Sequence, residues 1–223
     1  AMVVAGLGAT MLRDLNGNVA IPRQTSGATA YWVAESAAVT ESQAAFDQVQ
    51  MSPKTVGSYS DISRKLLLQS SIDIEGFVRN DLAMRLAMAI DLAAIAGTGS
   101  SNQPTGILAT TGIGAKTFAA IGNPTFGEMV DVESQVSVDN ALFGSLAYVS
   151  TAAMAGAMKQ KAKDSGSGQF VMANNQVNGY NMAVTNQMTA NTVVFGNFAD
   201  LIIGMWGGLD INVDTSTGSS SGT

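Results

Sequence analysis

The sequence predicts an α+β fold from three features. A polar, strand-like stretch runs from Val19 to about Ser63, a helix-period run follows Ser71, and short strands and helices alternate from Asn102 onward. Taken alone, the third region fits α+β or α/β. At 223 residues and 46% hydrophobic content the chain can bury a core of one large domain or two ordinary ones.

The first region places Val19 and Ile21, then Tyr31 to Val33, then Phe46, Val49 and Met51 ahead of Pro53, and finally Val56 to Ile62 in strand-like runs. Between them Glu35 to Ala45 is rich in turn-prone Ser, Thr and Gln. The pattern predicts a long β-hairpin with a broad tip. Two-stranded ribbons are marginal in water by themselves, so one this long needs support from elsewhere.

After Ser70-Ser71, residues Ile74, Val78, Leu82, Leu86 and Ile90 follow an i+4 row with Phe77, Ala89 and Ala93 beside it. This predicts a long amphipathic helix between Ser71 and Gly97, roughly 24 residues and about 36 Å at 1.5 Å per residue. Asp73 or Ser71 can cap it, Glu75 suits its first turn, and Gly97 is placed as the C′ residue. A Gly/Ser/Pro loop, GTGSSNQPTGI, comes next. TFGEMVDVESQVS then opens with a capping box, Thr125 and Glu128, and sets Met129, Val132 and Val136 on one face. A strand is expected at Ala147 to Val149 and a helix at Ala152 to Lys163, stopped by DSGSG. Further strands are expected at Tyr180 to Thr185, Thr192 to Phe195 and Leu201 to Val213, before a low-complexity end, TSTGSSSGT.

Composition removes whole classes of function. The chain has neither cysteine nor histidine, so disulfides, thiolate or imidazole metal sites, cysteine nucleophiles and Ser-His triads are excluded, and no cofactor or metal is expected. Its formal charge of -6 offers no basic field for tight nucleic-acid binding. The apolar windows at Ala1 to Leu12 and Leu82 to Ala96 are too short, or are interrupted by Arg85 and Asp91, so no membrane span is expected. Only 13% of residues are charged, so the chain either hides much of its surface or exposes a bland one that packs against neighbours.

Partial motifs do not change this. Gly97 and Gly99 begin a GxGxxG in which Asn102 replaces the third glycine, and Lys116-Thr117 follows Ala115 where a phosphate loop requires glycine. Gly218 to Gly222 matches GxSxG around Ser220, but within a terminal Gly/Ser tract and without histidine. Asp131 and Glu133, two apart on a helix, cannot face each other and are expected on a solvated face. Lys159, Lys161 and Lys163 are expected to complement a helix C-terminus. No catalytic residue is assigned.

The order NVAIPRQTSGATAYWVAESAAVTESQAAFDQVQ, then SIDIEGFVRNDLAMRLAMAIDLAAIAGTGSSNQPTGIL, then GNFADLIIGMWGGLDI resembles the major capsid proteins of tailed phages and prophages, the Hong Kong 97-type family, from about Asn18 to Asp210. The resemblance implies a remnant of the N-terminal arm at 1–18 and an extended E-loop at 19–64. It implies a P-domain with spine helix at 65–101, an A-domain at 102–198, and a return strand of the P-domain at 199–214. Residues 215–223 would be a flexible tail, with the family's final strand missing and an unpaired edge left at Leu201 to Val213.

It further implies a non-enzymatic shell subunit that forms hexamers and pentamers around double-stranded DNA held without tight specific binding. Its other expected partners are a scaffolding or maturation protease and a portal. It would be assembled in the bacterial host cytoplasm and reside in the virion capsid. The E-loop would lie on a neighbouring subunit, with Tyr31, Trp32, Glu35, Glu41, Phe46 and Asp47 at that interface. No lysine lies between Tyr31 and Pro53, so the family's E-loop lysine crosslink is not carried over. The alternatives are an encapsulin-type nanocompartment shell and, remotely, a carboxylate-based enzyme or sugar-binding domain.

Overall fold

The structure is a computed structural model and describes residues 2–38, 40–63, 65, 73–166 and 168–212. The chain divides into two compact units, Ala1–Met11 with Lys54–Ile203 and Gly208–Thr223, and Leu12–Pro53 with Gly204–Gly207.

The larger unit is built on a mixed four-stranded sheet. Its strands are β4 (Leu146–Ser150), β5 (Gln176–Val177), β6 (Tyr180–Val184) and β7 (Val193–Asn197), in the order β5-β6-β4-β7. Central β4 pairs parallel with β6 and antiparallel with β7. Period-2 alternation sends its residues into two cores. Tyr148, opposite Met182 on one side and Phe195 on the other, enters a cluster with Met129, Met154, Met158 and Met172. Ala147 and Val149 enter the opposite cluster with Val4, Ile95, Met188 and Phe198. A strand buried on both faces must be apolar throughout, which is why LAYVS shows so little polar alternation.

Helices cover the first face. Thr125 caps α3 (Phe126–Val138, which follows α1 at Val3–Gly6 and α2 at Ile74–Ala96) in the expected capping box, and Met129, Val132 and Val136 pack on the core as their spacing predicts. Thr151 caps α4 (Ala152–Gln160), which delivers Met154, Ala155 and Met158. The α4 helix is three residues shorter than expected. Lys163 lies beyond it and sits 4.4 Å over the Phe126 ring, so only Lys159 occupies the last turn. The expected solvated face holds at Asp131, which is exposed and pairs with Lys116 at 2.8 Å, but not at Glu133, which is half-buried and accepts hydrogen bonds from Asn178 and Tyr180. Tyr148, whose hydroxyl donates to the Met129 carbonyl at 3.1 Å, has its ionisation pushed up by burial.

On the second face lie α1 (Val3–Gly6) and the C-terminal end of α2 (Ile74–Ala96). Asp73 caps α2 by accepting from the Gly76 amide; Ser71, the other expected cap, lies outside the described residues. The helix is not simply amphipathic. Phe77, Met84, Met88 and Leu92 form a second apolar row that is exposed, while only Asp91 and Ile95 are fully buried. Gly97 ends α2 from an extended conformation, φ -58°, rather than the left-handed one expected of a C′ glycine. The glycine is required by space instead: a Cβ there would lie 2.3 Å from the Pro104 carbonyl oxygen and 2.4 Å from that of Ala93.

Asp91 also solves a problem that the sequence conceals. The N-cap of α1 is Met2, whose side chain makes no capping hydrogen bond, and Asp91 supplies the cap to Val3 from 88 residues away. Its carboxylate accepts from the Val3 amide at 2.6 Å and the Val4 amide at 3.3 Å.

The smaller unit is a ribbon of β2 (Val19–Ser26) and β3 (Ala45–Met51), antiparallel with Val19 opposite Met51 and Gln24 opposite Phe46. Both strands are shorter than expected. Residues 27–44 and 52–63 contain no strand among the described residues, so Tyr31–Val33 and Val56–Ile62 are extended or irregular without ladder partners. At the ribbon's base Trp206 Nε1 donates to the Gly17 carbonyl at 2.6 Å, and Met205 exchanges backbone hydrogen bonds with Leu12 and Leu15. The strands β1 (Thr10–Leu12) and β8 (Ile202–Gly204) form a two-stranded pair. The predicted strand over Leu201 to Val213 therefore shortens to three residues, one edge of which is paired; Val213 lies outside the described residues.

Candidate interaction surface

The ribbon presents two chemically different faces because cross-strand partners share a face. Val19, Met51, Ile21 and Val49 line one, closed at its outer end by an Arg23–Asp47 ion pair of 3.2 Å. Gln24, Phe46, Pro22 and Gln48 line the other. Phe46 thus points away from Val49 and Met51, with 71% of its surface exposed. Of the predicted interface residues, Asp47 already has a partner, and both members of its pair stay more than half exposed, so the pair contributes little to stability.

Past the ladder the chain becomes a tongue held by side chains. A bulge lies between Gln24 and Ser26, where the Thr25 hydroxyl donates to the Ala45 carbonyl and Ser26 Oγ accepts from the Ala45 amide. Ser42 Oγ accepts from the Thr29 amide at 3.0 Å and lies 3.3 Å from the Thr29 carbonyl. A turn joins the Ala37 amide to the Ala34 carbonyl at 3.0 Å, with Ser36 at φ 67°. Across the tongue, the Tyr31 hydroxyl donates to the Thr40 carbonyl.

Tyr31 and Trp32 therefore play different parts. Tyr31 is 41% exposed and engaged by its own chain, whereas Trp32 is completely exposed. Glu41 accepts from Gln43 at 3.1 Å, and Glu35 is exposed with no hydrogen-bond or ion-pair partner among the described residues. Thr29, Thr40 and Ser42, which shape the tongue, escape sequence reasoning. Isolated Ser and Thr in a polar stretch give no signal until the register brings residues 29 and 42 together.

Elsewhere, the carboxylates of Glu128, Asp131 and Glu133 have partners. Glu128 accepts from the Thr125 amide at 2.7 Å and the Ala119 amide at 2.6 Å, and those backbone donors lower its pKa from the ordinary value. Lys116 is held protonated to higher pH by Asp131. No group of three metal-ligating side chains occurs among the described residues, and no helix among them is long and apolar enough to cross a membrane.

Comparison with known proteins matches this architecture. The phage capsid family matches residues 2–222. The major capsid protein of Halomonas phage phiHAP-1 is 38% identical over 98% of this chain, and that of Klebsiella oxytoca phage phiKO2 is 26% identical over 94%. The chain spans 36% and 53% of those two relatives. Among solved structures, the capsid of a native GTA particle computed with C5 symmetry superposes with a TM-score of 0.80 at 20% identity, covering 98% of this chain and 82% of that one. A chain from Mycobacterium phage Cain superposes with a TM-score of 0.68 at 15% identity, covering 91% and 70%. The α+β fold is the Hong Kong 97-type fold of phage capsids, and the chain belongs to the phage capsid family.

Proposed function

We propose that this chain is a structural subunit of an icosahedral phage or prophage capsid, assembling with copies of itself into hexamers and pentamers around double-stranded DNA. The observation that carries the reading is the family match along residues 2–222. In this reading residues 19–64 are the E-loop, 65–101 the P-domain with α2 as its spine, 102–198 the A-domain and 199–214 the return strand. Tyr31, Trp32, Glu35, Glu41, Phe46 and Asp47 lie at or support the contact with the neighbouring subunit. The virion is its place of residence, with assembly in the host cytoplasm and a scaffolding or maturation protease and a portal as further partners. An acidic chain suits a container that releases its genome, because a strongly cationic wall would hold DNA through phosphate contacts. The curated relatives are phage proteins, which favours this reading over an encapsulin shell.

Electron microscopy and sedimentation of the purified chain test the proposal, with closed shells or capsomer rings expected. A folded chain that remains monomeric at every concentration refutes it. Deleting Glu35 to Ala45 leaves the two cores of the larger unit untouched and is expected to abolish assembly while preserving the helical circular dichroism signal.

A further inference from the structure

We propose that Trp32 is the single aromatic anchor by which the tongue binds a second copy of this chain, and that Tyr31 is its counterpart inside the chain, holding the tongue in the binding conformation. The inference rests on the shell reading above and divides between two adjacent residues roles that the sequence leaves unassigned.

Three observations carry it. Trp32 exposes its whole indole, while the neighbouring phenol is committed to the Thr40 carbonyl. The tongue is already shaped by the Tyr31–Thr40 bond, the Thr29–Ser42 pair and the Ala34–Ala37 turn, so part of the backbone ordering that burial of Trp32 requires is in place beforehand. Tryptophan delivers a large apolar surface from a side chain with only two soft torsions, and it dominates binding energy wherever it fills a pocket.

Charge selects the occupant. Between Arg23 and Lys54 there is no basic residue, while Glu35, Glu41 and Asp47 lie in that interval. A polyanion such as packaged DNA is repelled by such a segment. A protein surface with an apolar notch for the indole and cationic or amide donors around it is complementary to Trp32 flanked by Glu35 and Glu41. In a homomeric shell that surface belongs to another copy.

The chain has two tryptophans, and Trp206 is the partly buried one. Trp206→Phe leaves Trp32 as the only indole in the full chain. A concentration series of this variant, followed by sedimentation velocity, emission wavelength and acrylamide quenching, should show emission moving to the blue and quenching falling as large species form. Subtracting the spectrum of Trp32→Phe from that of the unmodified chain isolates the same signal without altering Trp206.

In parallel, Trp32→Ala should raise the concentration needed for association about 30-fold, the factor for losing an anchor residue. Tyr31→Phe keeps the anchor, gives up one hydrogen bond, and should raise it only about fivefold. Assemblies in which Trp32 stays as quenchable as in the monomer, or Trp32→Ala chains that associate normally, overturn the proposal and leave the shell reading intact. A chain that never associates overturns both.

Discussion

Replacing Asp91 isolates one carboxylate on which the second core depends. In Asp91→Ala the Val3 and Val4 amides lose their only cap, since Met2 offers none. Hydrogen bonds to a charged acceptor contribute about 1.5–3 kcal/mol each, and a buried amide left without a partner costs about 1–3 kcal/mol. The chain has a cheaper response, which sets a ceiling: α1 can detach and hydrate its amides, giving up the burial of Val4, worth about 1.5–3 kcal/mol, and part of that of Leu7. The smaller route decides the outcome, so the expected loss is about 3 kcal/mol. For a chain of this size that corresponds to a fall in Tm of roughly 6–12 °C.

Asp91→Asn keeps the shape and one acceptor oxygen but turns donors toward one amide, so about 2 kcal/mol is expected. Urea denaturation gives the magnitude, and hydrogen exchange at the Val4 amide gives the place. Both variants should lose protection at Val4 well before the amides of β4 do. An Asp91→Ala chain within about 0.5 kcal/mol of the unmodified one, the level of an ordinary surface change, refutes the reasoning, as does unchanged exchange at Val4.

Gly97→Ala places a methyl group on two backbone carbonyl oxygens, and neither can rotate away as a side chain would; a loss of at least about 2 kcal/mol is expected in urea denaturation, although φ at this residue is ordinary. Glu128→Gln should cost about 1 kcal/mol at pH 7 through the weakened capping box. Because the folded-state pKa of Glu128 lies below its unfolded value near 4.5, its contribution is complete above that pH and disappears as pH falls through the folded value. Denaturation curves of the two chains should therefore converge in acid.

Legibility in the sequence followed the range of the interactions involved. The capping box at Thr125 and Glu128, the cap at Asp73 and the apolar face of α3 depend on residues within a turn or two of each other, and the structure has them as expected. The ribbon's strands are shorter than their side chains suggest because Tyr31–Val33 in the tongue and Val56–Ile62 after the ribbon have β-forming side chains but no ladder partner among the described residues, and propensity alone does not make a strand. The strand from Leu201 shortened for the same reason. The Asp91 clamp and the crowding at Gly97 were hidden because each depends on backbone brought from a distant part of the sequence or a following loop. At the candidate site the exposed Tyr31-Trp32 pair was visible, but not which ring was free. That depended on where the Thr40 carbonyl lies, and a carbonyl carries no residue-type signature.

The methionines sort by accessibility in a way that gives the fold its own chemical gauge. Met129, Met154, Met158, Met172, Met182 and Met188 are sealed in the two clusters around β4, while Met84 and Met88 lie open on α2. Thioether oxidation by peroxide needs access, and it turns an apolar side chain into a polar one that a packed core cannot accommodate. Mild oxidation therefore marks α2 first and leaves the folded cores intact. Sulfoxide at Met158 or Met182 records that the sheet and its helices have come apart.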